Sequence, residues 1–378
     1  MGRRVKFYLT FIPISLLLLF SITSVGAYAE YDKKDNESLH NTVSDEAESI
    51  LDEFLSILPE DVRGEVFDGE VMESVGVGQV LNEIGEALAN NSLRTFSFFL
   101  MLIGCALIGS LLFVVEGRGQ TVGWISALSA SVILYTELRP LLFEVCEAIG
   151  ALSEFFSGAS GVITALLLAS GEVNRAAVQG AGMNLTLSLF SAFGSSFLCT
   201  LAAAFFSVGI VSSVGGGRTY RSVAKGLRSL FFWGTGILST LLVGLIALQG
   251  YIASSSDSVA LRAAKYAASG MIPIVGGTVS GALSTLFSGL DYACGIVGGA
   301  SVACILSIAL SPLVLLISYR MTVGVSLFLC DFLPEGSCRD CFVGLASALD
   351  AIIAVYSLTA VIYILEILMF VRGGSAVF

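Results

Sequence analysis

Apolar residues in this chain gather into long blocks separated by short polar stretches. Phe96–Val115 is the first such block in the body of the chain. Val122–Thr136, Asn184–Val214, Leu230–Ile252, Tyr292–Tyr319, Met321–Cys330 and Phe342–Val371 follow it. A charge-free run of about 20 residues, wound as a helix, crosses the ~30 Å hydrocarbon core of a bilayer. The pattern predicts an all-α, polytopic membrane protein with about seven spanning helices. The runs Val122–Thr136 and Met321–Cys330 are short for that task.

Between these blocks the spacing becomes amphipathic. Val43, Ala47, Ile50, Leu51, Phe54 and Leu58 recur every three or four residues, and Pro59 closes the pattern. Val77, Val80, Leu81, Ile84 and Leu88 mark a second, weaker helix. So little apolar surface makes a marginal core by itself. Residues 30–94 therefore read as a small helical cap leaning on the membrane part or a partner, or as a solvated acidic tail. A third pattern runs from Leu138 to Phe156, with Glu144, Glu147 and Glu154 on its polar side. A surface helix for anionic lipid carries Lys and Arg there, so an acidic face points to protein or water. Gly158–Ser170 is apolar but short, and reads as a re-entrant segment or half-helix.

The stretch Ser269–Gly289 carries no charge and so can enter a bilayer, but it cannot run as a plain helix. Pro273 lacks an N–H, and Gly276, Gly277 and Gly281 weaken the helix further. Irregular backbone at membrane depth survives where protein buries it or where it lines a wet cavity. Two shapes satisfy this: a broken or re-entrant segment, and a kinked spanning helix whose glycines allow close packing. In either, Gly270, Pro273, Gly276, Gly277, Ser280 and Gly281 act through backbone shape and packing.

Composition agrees with the pattern. The chain has 378 residues, 55% hydrophobic and only 13% charged, with a mean hydropathy of +0.88. Its net charge of −11 is unevenly placed: residues 30–94 hold 17 acidic and 4 basic side chains. No basic face suited to nucleic acid emerges. Residues 1–29 have a charged start (Arg3, Arg4, Lys6), an apolar core and Ala27-Tyr28-Ala29, the form of a secretory signal peptide, with an uncleaved anchor as the rival. The expected organisation is signal peptide 1–29, acidic extracytoplasmic region 30–94 and membrane domain 95–378. The loop at 215–229, with Arg218, Arg221, Lys225 and Arg228, is expected in the cytoplasm. Alternation of seven crossings then puts the turn at 330–341 outside and the end of the last helix inside.

Candidate chemistry is sparse. His40 is the one histidine and lies in the acidic region, so histidine-based catalysis has little to work with. No phosphate-binding G-x-x-x-x-G-K-[ST] occurs, and neither a metal nor a cofactor is expected. Cys338-Arg-Asp-Cys341 is a C-x-x-C, read as a disulfide, as a redox site or as two idle thiols. Asp350 and Glu366 fall in the last apolar run, and Asp291 borders the central stretch. Each is a pathway residue or an interfacial one, because a carboxylate inside a bilayer turns to a bundle interior or to water.

Three segments carry a family resemblance. Arg221-Ser-Val-Ala-Lys-Gly-Leu-Arg228, Lys265-Tyr-Ala-Ala-Ser-Gly-Met-Ile-Pro-Ile-Val-Gly276 and Ser280-x-Ala282 resemble the stage III sporulation protein AE family. The resemblance covers nearly the whole chain. The family pattern often has an acidic residue after the matched serine, where this chain has Gly281, so no carboxylate role is implied there. The resemblance implies a membrane component of the secretion-like channel joining mother cell and forespore. It implies other stage III A membrane proteins as partners, and through them a forespore-side partner, with self-association left open. Read without the resemblance, the residues allow a non-enzymatic channel or assembly subunit, or a secondary transporter built on paired broken helices. An intramembrane hydrolase stands a distant third.

Overall fold

In a computed structural model, the residues described are 77–116, 120–170, 172–192, 198–215, 218–271, 276–333 and 337–374. The proposed signal peptide, His40 and the Val43–Leu58 helix lie outside them. Seven helices account for almost all of the described chain. They are α1 (Val77–Glu116), α2 (Gln120–Ala169), α3 (Val173–Ala192), α4 (Leu198–Gly215), α5 (Arg218–Met271), α6 (Gly276–Cys330) and α7 (Ser337–Gly374). The all-α, polytopic expectation is borne out. Among the described residues, five helices are long and apolar enough to cross a membrane, against the seven expected from the sequence.

The difference arises where charged residues interrupt apolar runs. Tyr292–Tyr319 and Met321–Cys330 are not two crossings, because α6 continues through Arg320 as one 55-residue helix. Arg320 does not mark a turn, since its charge is met inside the bundle by Asp350. Val122–Thr136, the amphipathic stretch and Gly158–Ser170 likewise join into the 50 residues of α2, so no half-helix forms at 158–169. Asn184–Val214 errs the other way: it divides between α3 and α4. The weak helix at Val77–Leu88 runs straight on into the first spanning segment as α1.

Helix α7 is the hub and touches each of the other six. It packs most extensively on α6 and α4. Apolar side chains clothe it on all sides, with Phe342, Ile352, Tyr356, Tyr363 and Ile367 all fully buried. A helix apolar all round is one that occupies a core.

Side-chain pairs fix the directions of the helices around this hub. Ser131 and Cys341 share a hydrogen bond at 3.3 Å, and Ser153 and Tyr363 share one at 3.0 Å, both at a sequence offset of 210. Helices α2 and α7 are therefore parallel and in register over 22 residues, about 33 Å of helix. Helix α5 is also parallel to α7, because Arg228 meets Asp350 while Ile246 and Gln249 meet Glu366 and Met369. Helix α6 is antiparallel: Arg320 meets Asp350, and the Tyr356 hydroxyl donates to the Ile308 carbonyl. Helix α1 descends beside α2, with Arg94 at Glu144 and Phe98 beside Leu134 and Leu138.

One consequence corrects the expected topology. Helices α5 and α7 start at the same end of the bundle, so the 215–218 and 331–336 connections lie together rather than on opposite sides. The extra crossing assigned to Met321–Cys330 had reversed the direction of everything after it. The chain also reverses between α5 and α6, whose facing ends are Met271 and Gly276. The helices thus part on either side of Pro273, and a single kinked spanning helix is ruled out; residues 272–275 themselves lie outside the description.

Candidate functional site

Two buried polar nodes cross the apolar core, both anchored on α7. At the first, Asp350 is 1% exposed and accepts from two arginines on two other helices. Arg228 Nη2 of α5 lies 2.8 Å from its Oδ2, and Arg320 Nε of α6 lies 2.5 Å from its Oδ1. The Arg228 guanidinium also stacks over the Phe232 ring at 5.6 Å. A carboxylate taken out of water needs such partners, since burial alone would neutralise it. Asp350 is thus a three-helix tie.

The second node lies about 24 Å further along α7. Glu366, also 1% exposed, accepts a hydrogen bond at Oε1 from Thr186 of α3 at 2.8 Å. It is buried in the bundle. Gln179 donates to the Glu366 carbonyl at 3.4 Å, and Arg175 donates through Nη2 to the Phe370 carbonyl. Arg175 also forms a buried pair with Glu172 at 2.6 Å, one turn earlier on α3. Glu172 just precedes that helix, where an acidic side chain complements the exposed N–H groups. Tyr363, one turn before Glu366, stacks on Phe156 at 4.2 Å and meets Phe190 edge-on at 5.8 Å.

A small, mainly apolar cavity opens beside Glu366, lined by Gln179, Ile246, Gln249, Glu366 and Met369. At Gly182 an added Cβ would press on the far end of the flexible Gln249 side chain, which lies against α3 there.

A third tie joins α1, α2 and α6 at the level of the first node. Arg94 pairs with Glu144 at 2.8 Å and lies over the Tyr319 ring at 5.8 Å, and Phe98 stacks on that ring at 4.8 Å. The acidic face expected on α2 thus contacts protein at Glu144.

Of the other residues singled out, Cys341 is a free, buried thiol bonded to Ser131. The Cys338 side chain, its proposed partner, lies outside the described residues. Asp291, Ser280 and Gly281 lie within α6, Gly276 and Gly277 open it, and Gly270 lies in the last turn of α5. Their surroundings, and Pro273, are outside the described residues. Sequence reasoning singled out Asp350 and Glu366 but not their partners. Arg320, alone in an apolar run, was the available signal, since a buried charge implies a counter-charge. Thr186, Gln179 and Gly182 gave none.

A bundle of helices this apolar, braced by ion pairs inside it, is a polytopic helical membrane protein. The family model for stage III sporulation protein AE matches residues 61–374, which include every described residue. The chain belongs to that family. It is 22% identical over 229 residues to stage III sporulation protein AE of Bacillus subtilis (strain 168), a match covering 61% of this chain and 57% of that protein. No solved structure matches it.

Proposed function

We propose that this chain is a non-enzymatic membrane subunit of a secretion-like channel complex joining mother cell and forespore. It works beside other stage III A membrane proteins and, through them, a forespore-side partner. Helix length carries this reading. Helices α2, α5 and α6 have 50, 54 and 55 residues, about 75–83 Å each, against ~30 Å of hydrocarbon. Columns that long reach past the bilayer and offer surface to neighbours in an assembly. The acidic groups Asp350 and Glu172 are committed to arginines, which suits bracing rather than turnover.

The start of α5, with Arg218, Arg221, Lys225 and Arg228, faces the cytoplasm by the excess of basic residues there, with residues 30–94 on the far side after signal cleavage. The membrane is the mother-cell-derived outer forespore membrane. The transporter reading loses support, because its proposed pair of broken segments lacks one member, Gly158–Ser170 being mostly inside α2.

A tagged copy complementing a deletion strain tests the reading. Spore formation should be restored, and the other stage III A membrane proteins should co-purify from sporulating cells. A protein that purifies alone and by itself carries a solute into liposomes would contradict it.

A further inference from the structure

We propose that Lys225, Arg228 and Arg320 bind the phosphate of an anionic phospholipid, in the leaflet at the basic end of α5.

Charge at the Asp350 node motivates this. One carboxylate holds two guanidiniums, which leaves a surplus positive charge. Asp350 is sealed in the core, but the side chains of Arg228 and Arg320 are 35% and 27% exposed. The surplus therefore faces outward. Lys225 is exposed, stands three residues before Arg228 on the same side of α5, and adds to it. Two like charges held on one carboxylate repel each other, and an anion bridging them relieves that.

Arg320 supplies the donors. It gives Nε to Asp350, which is its one hydrogen-bond partner among the described residues. Its guanidinium leans along α6 toward Gly324, with Nη1 3.5 Å from where a Cβ on that glycine would stand. Because α6 runs antiparallel to α7, that direction is toward the basic end. The paired Nη groups are the fork that arginine offers to phosphate oxygens.

The depth fits a lipid headgroup. Charge-free sequence begins at Ser229 in α5 and at Ala351 in α7, and it ends at Tyr319 in α6. Arg228, Arg320 and Asp350 bring these three limits to one height. Just beyond that height α5 turns Leu230 and Trp233 outward, 70% and 73% exposed. Tryptophan so placed is typical of a membrane interface. Acyl chains cover those side chains, as free phosphate cannot, and basic sites at this level take anionic headgroups.

The full chain in a neutral detergent tests this, by its thermal midpoint with added phosphatidylglycerol, phosphatidylcholine or inorganic phosphate. Phosphatidylglycerol should raise the midpoint along a saturation curve, and the other two should not. Lys225→Gln should leave the lipid-free midpoint in place and raise half-saturation about fivefold, the effect of one basic residue near an anionic surface. Arg320→Lys keeps a charge on Asp350 without the fork, and should raise it about tenfold. Arg339→Gln lies at the same end of the bundle, but Arg339 pairs with Asp331, so the lipid response should not change. If Arg320→Lys does not fold, Lys225→Gln against Arg339→Gln still decides the matter. A midpoint raised equally by phosphatidylcholine overturns the proposal, as does a lipid response weakened no more by Lys225→Gln than by Arg339→Gln. So does a midpoint raised by inorganic phosphate, which would make a soluble anion the occupant. The chain is measured alone, so none of these outcomes bears on co-purification with other sporulation proteins.

Discussion

Arg228 Nη2 lies 2.8 Å from Asp350 Oδ2, and this contact ties the basic start of α5 to the interior of the final helix. Arg320 reaches the other oxygen of the same carboxylate. One buried aspartate therefore fixes the relative height of α5, α6 and α7.

Removing that carboxylate should be among the most damaging single changes in the described core. Asp350→Asn leaves two guanidiniums facing each other without their counter-ion. Breaking a buried pair costs about 3–5 kcal/mol, and the lower end applies because both arginines are partly exposed. The thermal midpoint and the membrane level of the variant should both fall. Adding Arg320→Ala to Asp350→Asn should recover part of the loss, a non-additivity that a double-mutant cycle reads.

Tyr363 couples three helices through one ring. Tyr363→Phe keeps the stack on Phe156 and removes only the hydrogen bond with Ser153, so a loss of about 1 kcal/mol is expected. Tyr363→Ala should cost about 3–5 kcal/mol, the usual range for emptying an aromatic site in a core. Equal losses in chemical-denaturation curves of the two variants would contradict the stacking role.

Gly182→Ala should destabilise by no more than about 1 kcal/mol, because the added methyl displaces only the far end of the flexible Gln249 side chain. The same change in a Gln249→Ala background should be nearly neutral. If Gly182→Ala is equally harmful with and without Gln249, the close approach of α3 and α5 is not what the glycine serves.

The legible part of this fold was its apolar content. Hydropathy marks α1, α5 and α7 well, because their apolar runs are long and bounded by polar residues. It failed where charge falls inside a helix. Arg320 and Glu144 of α2 look like boundaries in one dimension, and are accommodated within continuous helices where Asp350 and Arg94 meet them from elsewhere in the chain. At Ala192 the opposite holds: α3 ends inside a charge-free run, so hydropathy had nothing to report. The site was half legible for the same reason. Asp350 and Glu366 stand out in an apolar run, whereas Thr186, Gln179 and Gly182 resemble any small or polar helix residue.

The parallel course of α5 and α7 is the central claim, and the sidedness of their leading ends tests it. Single cysteines at Ser222 and Phe332, in a cysteine-free background produced in vegetative cells so that the protein lies in the cell membrane, can be probed with a membrane-impermeant maleimide in intact and permeabilised cells. Both should be protected in intact cells and labelled after permeabilisation, since both connections lie at the basic, cytoplasmic end. Labelling of Phe332→Cys in intact cells while Ser222→Cys stays protected would place the two connections on opposite sides, and would contradict the register that Asp350 sets.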